Sequence, residues 1–530
     1  MTKINFKNTG ISPLIKDYLS QKEGLKPFYS LFPNEENYPI QAKKKLSEYQ
    51  HRSVLNSVLH DQMQQHVLTE KQKENLNLIK EKQTVTITTG HQLNLMTGPL
   101  YFIYKIMHVI KICDTLNKNQ QEITYVPIYW MATEDHDFDE INHFNDYQKT
   151  YSFDAENGGF VGDISTENTE PTLREFLQTF GDNKFESRLK EIIEAAYFNK
   201  YSLSKATRIL VSELLGDYGI LILDANNAEL KKCMIPFFEK ELFNNEVQQL
   251  VQQTNQDLAN YKNQAHAREI NLFYLENNKR ERIEKTENGF VLVESLKEFT
   301  ASEFRDELHR FPEKFSPNVI LRPLYQEVIL PNVAYIGGGG EIAYWLQLKS
   351  VFENFGILFP MLVVRNSMLI IPNAMKHKAE KYDLLSKKMF QSSDVIKNQF
   401  TEQQSKLFKE LEELELSLIN QFENLENLAQ KTSSSFGSMV EAQKKKQIKG
   451  YKSMYKRLLK AEQKRFETEI NKIDEVYDYI FPQNNWQERV INFSDFYKHN
   501  GQELFSRIYN HLEPFNSSFN ILCLDSIAKK

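Results

Sequence analysis

Val85-Thr86-Ile87-Thr88-Thr89, then Gly90-His91-Gln92-Leu93-Asn94-Leu95-Met96-Thr97-Gly98, then Pro99-Leu100-Tyr101-Phe102-Ile103-Tyr104-Lys105-Ile106: an apolar run, a polar loop and a helical pattern that continues to about Leu116. A second apolar run, Ile123-Thr124-Tyr125-Val126-Pro127-Ile128-Tyr129-Trp130, ends in the polar cluster Glu134-Asp135-His136-Asp137 and its continuation to His143. Strand, loop, helix, strand and loop make a βαβ unit, so a parallel sheet with a right-handed crossover is expected. Ligands in open α/β sheets bind beyond the carboxyl ends of the strands, where both polar clusters fall. Pro99 suits the first helical position, and Gly98 before it predicts a helix N-terminus open to an anion. Lys105, nearly two turns in, could reach back toward that anion.

Outward from this unit, residues 1–82 read as helices covering the sheet. Residues 145–215 read as an insertion, with Gly158-Gly159 and Pro171 as breakers. The sheet resumes at Tyr218-Gly219-Ile220-Leu221-Ile222-Leu223-Asp224, followed by a long amphipathic stretch to about Asn263. Runs at Asn271–Leu275, Arg280–Ile283 and Gly289–Val293, with Asn277-Asn278 as a turn, read as an inserted antiparallel meander. A second polar centre spans 316–366. It holds Arg322, the loop Gly337-Gly338-Gly339-Gly340 ahead of Glu341, Tyr344 and Trp345, and a last apolar run ending in Arg365. The glycines suggest a loop where backbone approaches a ligand or takes positive φ, although neither G-x-G-x-x-G nor a P-loop is matched.

From about Ala374 Lys, Glu, Gln and Leu dominate, and no proline follows until Pro482. Leu411, Leu418 and Leu425 are seven apart, and Leu407, Leu414 and Leu428 keep the same period with Gln421 in the missing slot. This is a heptad seam, broken at Thr432–Gly437 and followed by a second helical pattern to Ile480. The expected domains are a core over 1–373 with insertions near 145–215 and 265–315, a coiled-coil arm over 374–480, and a segment over 481–530 returning to the core. The fold class is α/β: a Rossmann-like core with inserted modules and a long antiparallel coiled-coil arm.

Composition narrows the function. A chain of 530 residues exceeds one ordinary core. A net charge of -6 argues against nucleic acid as the default partner. Three distant cysteines make neither a disulfide framework nor a metal spacing, which suits a reducing cytoplasm. No run of apolar residues reaches the ~18 needed to span a membrane.

Several motifs in fixed order carry a family resemblance: Thr89-Gly90-His91-Gln92 with Thr97-Gly98-Pro99-Leu100-Tyr101, Glu134-Asp135-His136-Asp137, Ser316–Pro323, Gly340-Glu341-Ile342-Ala343-Tyr344-Trp345 and Gln487-Glu488-Arg489. Together they resemble the bacillithiol biosynthesis cysteine-adding enzymes, the BshC family of cysteine ligases, over essentially the whole chain. His91 departs from the pattern, which has a second glutamine there in many members. The resemblance implies joining of L-cysteine to the amine of glucosaminyl-malate, a nucleotidyltransferase-type core akin to class I aminoacyl-tRNA synthetases, and a homodimer through the coiled coil. It also associates a nucleotide, ATP or ADP, with the fold and leaves the activating agent open.

Chemistry then assigns candidate roles. A carboxylate does not acylate an amine at neutral pH without activation, and the amine must lose a proton. Asp135 and His136, flanked by Glu134 and Asp137, are the candidate catalytic group, with His136 or Asp135 as base. A single His among hard carboxylates lacks the spacing of a zinc site, so no metal is expected. Lys105, Arg322 and Arg365 are candidates for the malate carboxylates. Thr89, Gly90, His91, Gln92, Gly98, Tyr101, Trp130, Gly338, Gly339, Gly340, Glu341 and Tyr344 complete the expected substrate-binding set. A second reading, from another class, is a non-catalytic tRNA-binding or assembly module, permitted by the missing Lys-Met-Ser-Lys-Ser signature.

Overall fold

The computed structural model describes residues 2–119, 122–155, 159–276 and 279–525. Five parallel strands form its centre: β1 (Thr84–His91), β2 (Thr124–Met131), β3 (Leu221–Asp224), β4 (Asn332–Gly337) and β5 (Met361–Val364). Their order across the sheet is β5-β4-β1-β2-β3. The chain begins at the middle strand, builds one side, and then returns to build the other. Such a reversal, here between β1 and β4, defines the switch point of a Rossmann-like sheet and opens a crevice at its carboxyl end. The strands are buried on both faces, as parallel strands between helix layers must be, which explains their continuous apolar and β-branched runs. Helix α1 (Tyr101–Asn119) crosses from β1 to β2, α2 (Arg322–Ile329) precedes β4, and α3 (Gly339–Trp345) follows it.

Two local expectations are corrected. Gly90 and His91 are strand rather than loop, because β1 goes on pairing with Trp130 and Met131 of β2. The start of α1 is not open to an anion. The Leu100 N–H donates to the Ile491 carbonyl at 2.9 Å, and the Asn492 side chain donates to the carbonyls of Met96 and Gly98. The returning chain thus seals the helix entrance, and regular helix begins at Tyr101 rather than Pro99.

The inserted meander is a five-stranded antiparallel sheet in the order Glu298–Thr300, Gly289–Leu292, Lys279–Lys285, Leu272–Glu276, Phe315–Pro317. Its expected Asn277-Asn278 turn, like Gly158 in the other insertion, lies outside the described residues. The stretch 145–215 holds a short strand, Thr150–Ser152, paired with His143–Asn145, and the helices Glu170–Leu177, Lys184–Tyr197 and Leu203–Leu215.

The chain divides into two compact units, residues 1–370 with 485–530, and residues 371–484. Within the second, α4 (Leu407–Ala429) and α5 (Ser434–Arg465) pair antiparallel, with Phe408 against Tyr455 at 5.3 Å between rings and Glu426 bonded to Lys444 at 3.0 Å. The seam differs from the expected one by a residue. Phe408, Phe422 and Ala429 are buried, and Leu411 and Leu418 are half-buried. Leu407, Leu414 and Leu428 stay 40%, 59% and 54% exposed. The heptad spacing put leucines, with Gln421 in one slot, on the seam, but the larger phenylalanine rings take the inner row. No helix among the described residues is long and apolar enough to cross a membrane.

Candidate active site

A cavity of about 750 Å³ opens at the carboxyl ends of β1, β2 and β4. It is walled on one side by the glycine loop and α3, and on the other by the inserted sheet. Of the expected residues, Gly90, His91, Gln92, Tyr101, Lys105, Trp130, Glu134, Asp135, His136, Arg322, Gly338, Gly339, Gly340, Glu341, Tyr344 and Arg365 all line it. Thr89, Gly98 and Asp137 do not. The Thr89 hydroxyl donates to the Ile336 carbonyl at 2.8 Å and so ties β1 to β4. Gly98, at φ +64°, sits where a Cβ would lie 2.7 Å from the Asn94 side chain. Asp137 caps the short helix Phe138–Ile141. These three shape the loops rather than face the cavity.

The switch point is bridged by charge. Lys105, reaching from α1, donates to Glu341 Oε1 and Oε2 at 3.0 and 2.9 Å and also to the Gly90 carbonyl. Burial alone would raise the Glu341 pKa. The Lys105 charge, the Tyr335 hydroxyl at 2.6 Å and the Gly338 N–H at 2.9 Å outweigh it and hold the carboxyl at about 2. Glu341 therefore occupies the amide at the start of α3 that the glycine loop would otherwise offer to a ligand. None of Gly337–Gly340 takes positive φ, so that part of the expectation fails. The tight position is Gly337, whose Cβ would meet the Glu341 and Tyr335 side chains at 3.0 Å each.

Arg365 and Lys231 are likewise neutralised from within. Arg365 donates to Glu488 Oε1 at 2.6 Å, with the two side chains 5% and 1% exposed. Lys231, fully buried, pairs with Glu134 and donates to the Phe315 carbonyl at 2.6 Å. Arg322 is different. It donates to the Tyr344 hydroxyl at 2.6 Å and has no carboxylate within ion-pair distance among the described residues. Arg280 and Arg489, also on the cavity wall, are likewise unpaired there. The expected trio of Lys105, Arg322 and Arg365 thus holds one unpaired cation, and sequence reasoning missed two others.

Burial would raise the Asp135 pKa, but hydrogen bonds from Gln92 and the His136 backbone N–H, with the Arg280 charge, hold it far below the carboxylate range. Gln92 donates to its Oδ2 at 2.7 Å and the His136 N–H to its Oδ1 at 2.8 Å. Arg280 lies 2.9 Å from His136 Nδ1. A guanidinium can only donate, so this nitrogen accepts and the ring carries its proton on Nε2. His91 is kept neutral by burial, aided by Lys105 and Arg365, and its Nε2 is buried without a partner among the described residues.

The missed residues left little local signal. Arg280 lies 144 residues from His136 and 37 from Pro317. Lys231 lies 97 residues from Glu134. Arg489 stood in a quoted motif, and its neighbour Glu488 proves to be the partner of Arg365.

Comparison with known proteins gives the family of the chain. Residues 1–366 match the family described as "Bacillithiol biosynthesis BshC, N-terminal Rossmann-like domain", and residues 368–524 match its "C-terminal coiled-coil domain". A relative from Flavobacterium johnsoniae named "Putative cysteine ligase BshC" is 41% identical, covering 98% of this chain and 99% of its own. Relatives of the same name from Cytophaga hutchinsonii and Bacillus cereus are 34% and 27% identical, covering 97% and 85% of this chain and 97% and 87% of their own. The chain belongs to the bacillithiol biosynthesis BshC family.

Proposed function

We propose that this chain is a cytoplasmic ligase that joins the carboxyl of L-cysteine to the amine of glucosaminyl-malate, forming an amide in the last step of bacillithiol synthesis. The observation that carries this reading is the charge inventory of the cavity. Lys105, Arg365 and Lys231 are satisfied by Glu341, Glu488 and Glu134, whereas Arg280, Arg322 and Arg489 await anions. The two substrates bring three carboxylates between them. Paired buried cations build the wall, and unpaired ones bind.

Arg322, beside Gly90 at the switch point, is suited to the reacting end, where negative charge develops on the acyl group. A nucleotide bound there, ATP or ADP, would be held by the same guanidinium, and ATP would supply the activation that the cysteine carboxyl needs. Asp135 is too strong an acid in its site to take a proton at neutral pH, so we assign the base role to His136. Asp135 Oδ1, 3.5 Å from His136 Nδ1, then steadies the imidazolium that forms. In the second unit, the exposed Leu407, Leu414 and Leu428 offer a stripe for the arm of a second copy, and we propose a homodimer on that basis. Incubation of the purified chain with both substrates, read by mass spectrometry, tests the ligase reading. Absence of the coupled thiol with every activating nucleotide supplied would refute it.

A further inference from the structure

We propose that Arg280, on the inserted antiparallel sheet, is the residue by which the site reads the second carboxylate of its amine substrate, selecting a dicarboxylate over a monocarboxylate. This rests on the ligase reading above. The argument begins with placement. The reacting groups belong at the switch point between β1 and β4, beside Arg322 and the Lys105–Glu341 pair. Arg280 stands on the strand Lys279–Lys285 and touches the base His136 at 2.9 Å, so it faces the part of the amine substrate next to the nitrogen that reacts.

Its surroundings fix the guanidinium, and the carboxylates of Asp135 and Glu134 attract its charge only from beyond ion-pair distance. The plane lies over the Phe273 ring at 3.9 Å. One Nη2–H donates to the Pro317 carbonyl at 3.1 Å, with Ser316 Oγ at 3.5 Å. Nη1 donates to the neutral His136 nitrogen at 2.9 Å. Nε is buried and has no partner among the described residues. No carboxylate is in ion-pair range among the described residues, since Glu134 is spent on Lys231 and Asp135 on Gln92 and His136. A held, planar, unpaired guanidinium with a spare N–H is suited to a carboxylate, which it binds through two parallel hydrogen bonds. A carboxylate arriving there also competes for the Nη1–H that occupies His136 Nδ1. Docking of the dicarboxylate thereby frees the nitrogen that must take the proton of the substrate ammonium.

The test compares two substrates in three proteins. Wild type, Arg280→Ala and Arg280→Lys are assayed for thiol formation from L-cysteine with glucosaminyl-malate, and with the same sugar amine conjugated to L-lactate. Comparing substrates within each protein cancels any difference in folded fraction. Wild type should favour the malate conjugate in kcat/KM by about 10- to 100-fold, the worth of a charged hydrogen-bonded pair. Both variants should lose most of that preference, the alanine variant most, and the ratio between the two conjugates rather than either absolute rate is the readout, because Arg280 also holds the base His136. An equal loss on both conjugates, or a preference kept in Arg280→Ala, overturns the proposal. If wild type couples neither conjugate, the ligase reading falls, and calorimetric titration with L-malate and L-lactate then decides the subsite. Malate-selective binding lost in Arg280→Ala upholds it, and equal binding of both acids overturns it.

Discussion

At the scale of single residues, the site separates cations that build from cations that bind. Arg365 and Glu488 are both nearly inaccessible and hold each other. Glu488→Ala should leave an uncompensated buried charge and cost about 3–5 kcal/mol in denaturant unfolding. Asp135→Asn and His136→Ala remove groups from a half-exposed loop, so the melting temperature should stay within a few degrees of the parent while thiol formation collapses. Retained activity in both would remove the pair from the chemistry. Behind the site, Glu327 is fully buried and accepts from Gln326 and Asn332 at 2.9 and 2.7 Å. Burial pushes its pKa from 4.5 up to about 7 against the pull of Lys45 and these amides. Between those values the folded chain holds a proton that the unfolded chain has lost, so this group makes stability fall as pH rises through that window. Glu341 has the opposite sign. Its folded value of about 2 lies below the ordinary 4.5, so its contribution is present above pH 4.5 and is lost as pH falls toward 2. Unfolding titrations of Glu327→Gln should show a flatter pH dependence between about 4.5 and 7 than wild type. An unchanged slope would show that Glu327 does not titrate there. The charges themselves were legible in the sequence. Which of them are paired was not, because the partners of Lys105, Arg365 and Lys231 lie 236, 123 and 97 residues away.

At the scale of elements, periodicity carried the core. The apolar and β-branched runs at 85–89 and 123–130 mark β1 and β2 to within two residues, because strands buried on both faces favour such residues, whereas the run at 357–364 overshoots β5, which begins only after Pro360. Ends were less legible. Gly90 and His91 look like loop residues, yet the neighbouring strand supplies partners that propensity cannot anticipate. The glycine loop was recognisable, but which glycine matters was not. Gly337→Val should be strongly destabilising, since its Cβ would press on Tyr335 and Glu341 at 3.0 Å. Gly340→Ala, with nothing within 4 Å, should melt like the parent. Similar melting temperatures for the two variants would contradict the packing described for this turn.

At the scale of the whole molecule, the heptads announced an arm, while the phenylalanines that fill its inner row shifted the register by one residue and left Leu407, Leu414 and Leu428 outside. Their replacement by Glu should leave helix content unchanged and convert a dimer to a monomer in sedimentation velocity at micromolar concentration. Glu at Phe408 and Phe422 should instead unfold the hairpin, since it buries unpaired charge. A wild-type monomer would contradict the dimer. The central claim is the coupling reaction, and it is tested most directly by mass spectrometry of the thiol formed from L-cysteine and glucosaminyl-malate, with and without ATP, by wild type and Asp135→Asn. The account predicts a new thiol of the mass of the two substrates less water, dependent on both and nearly absent with Asp135→Asn. No such product from wild type under any of these conditions, or equal product from the variant, would contradict it.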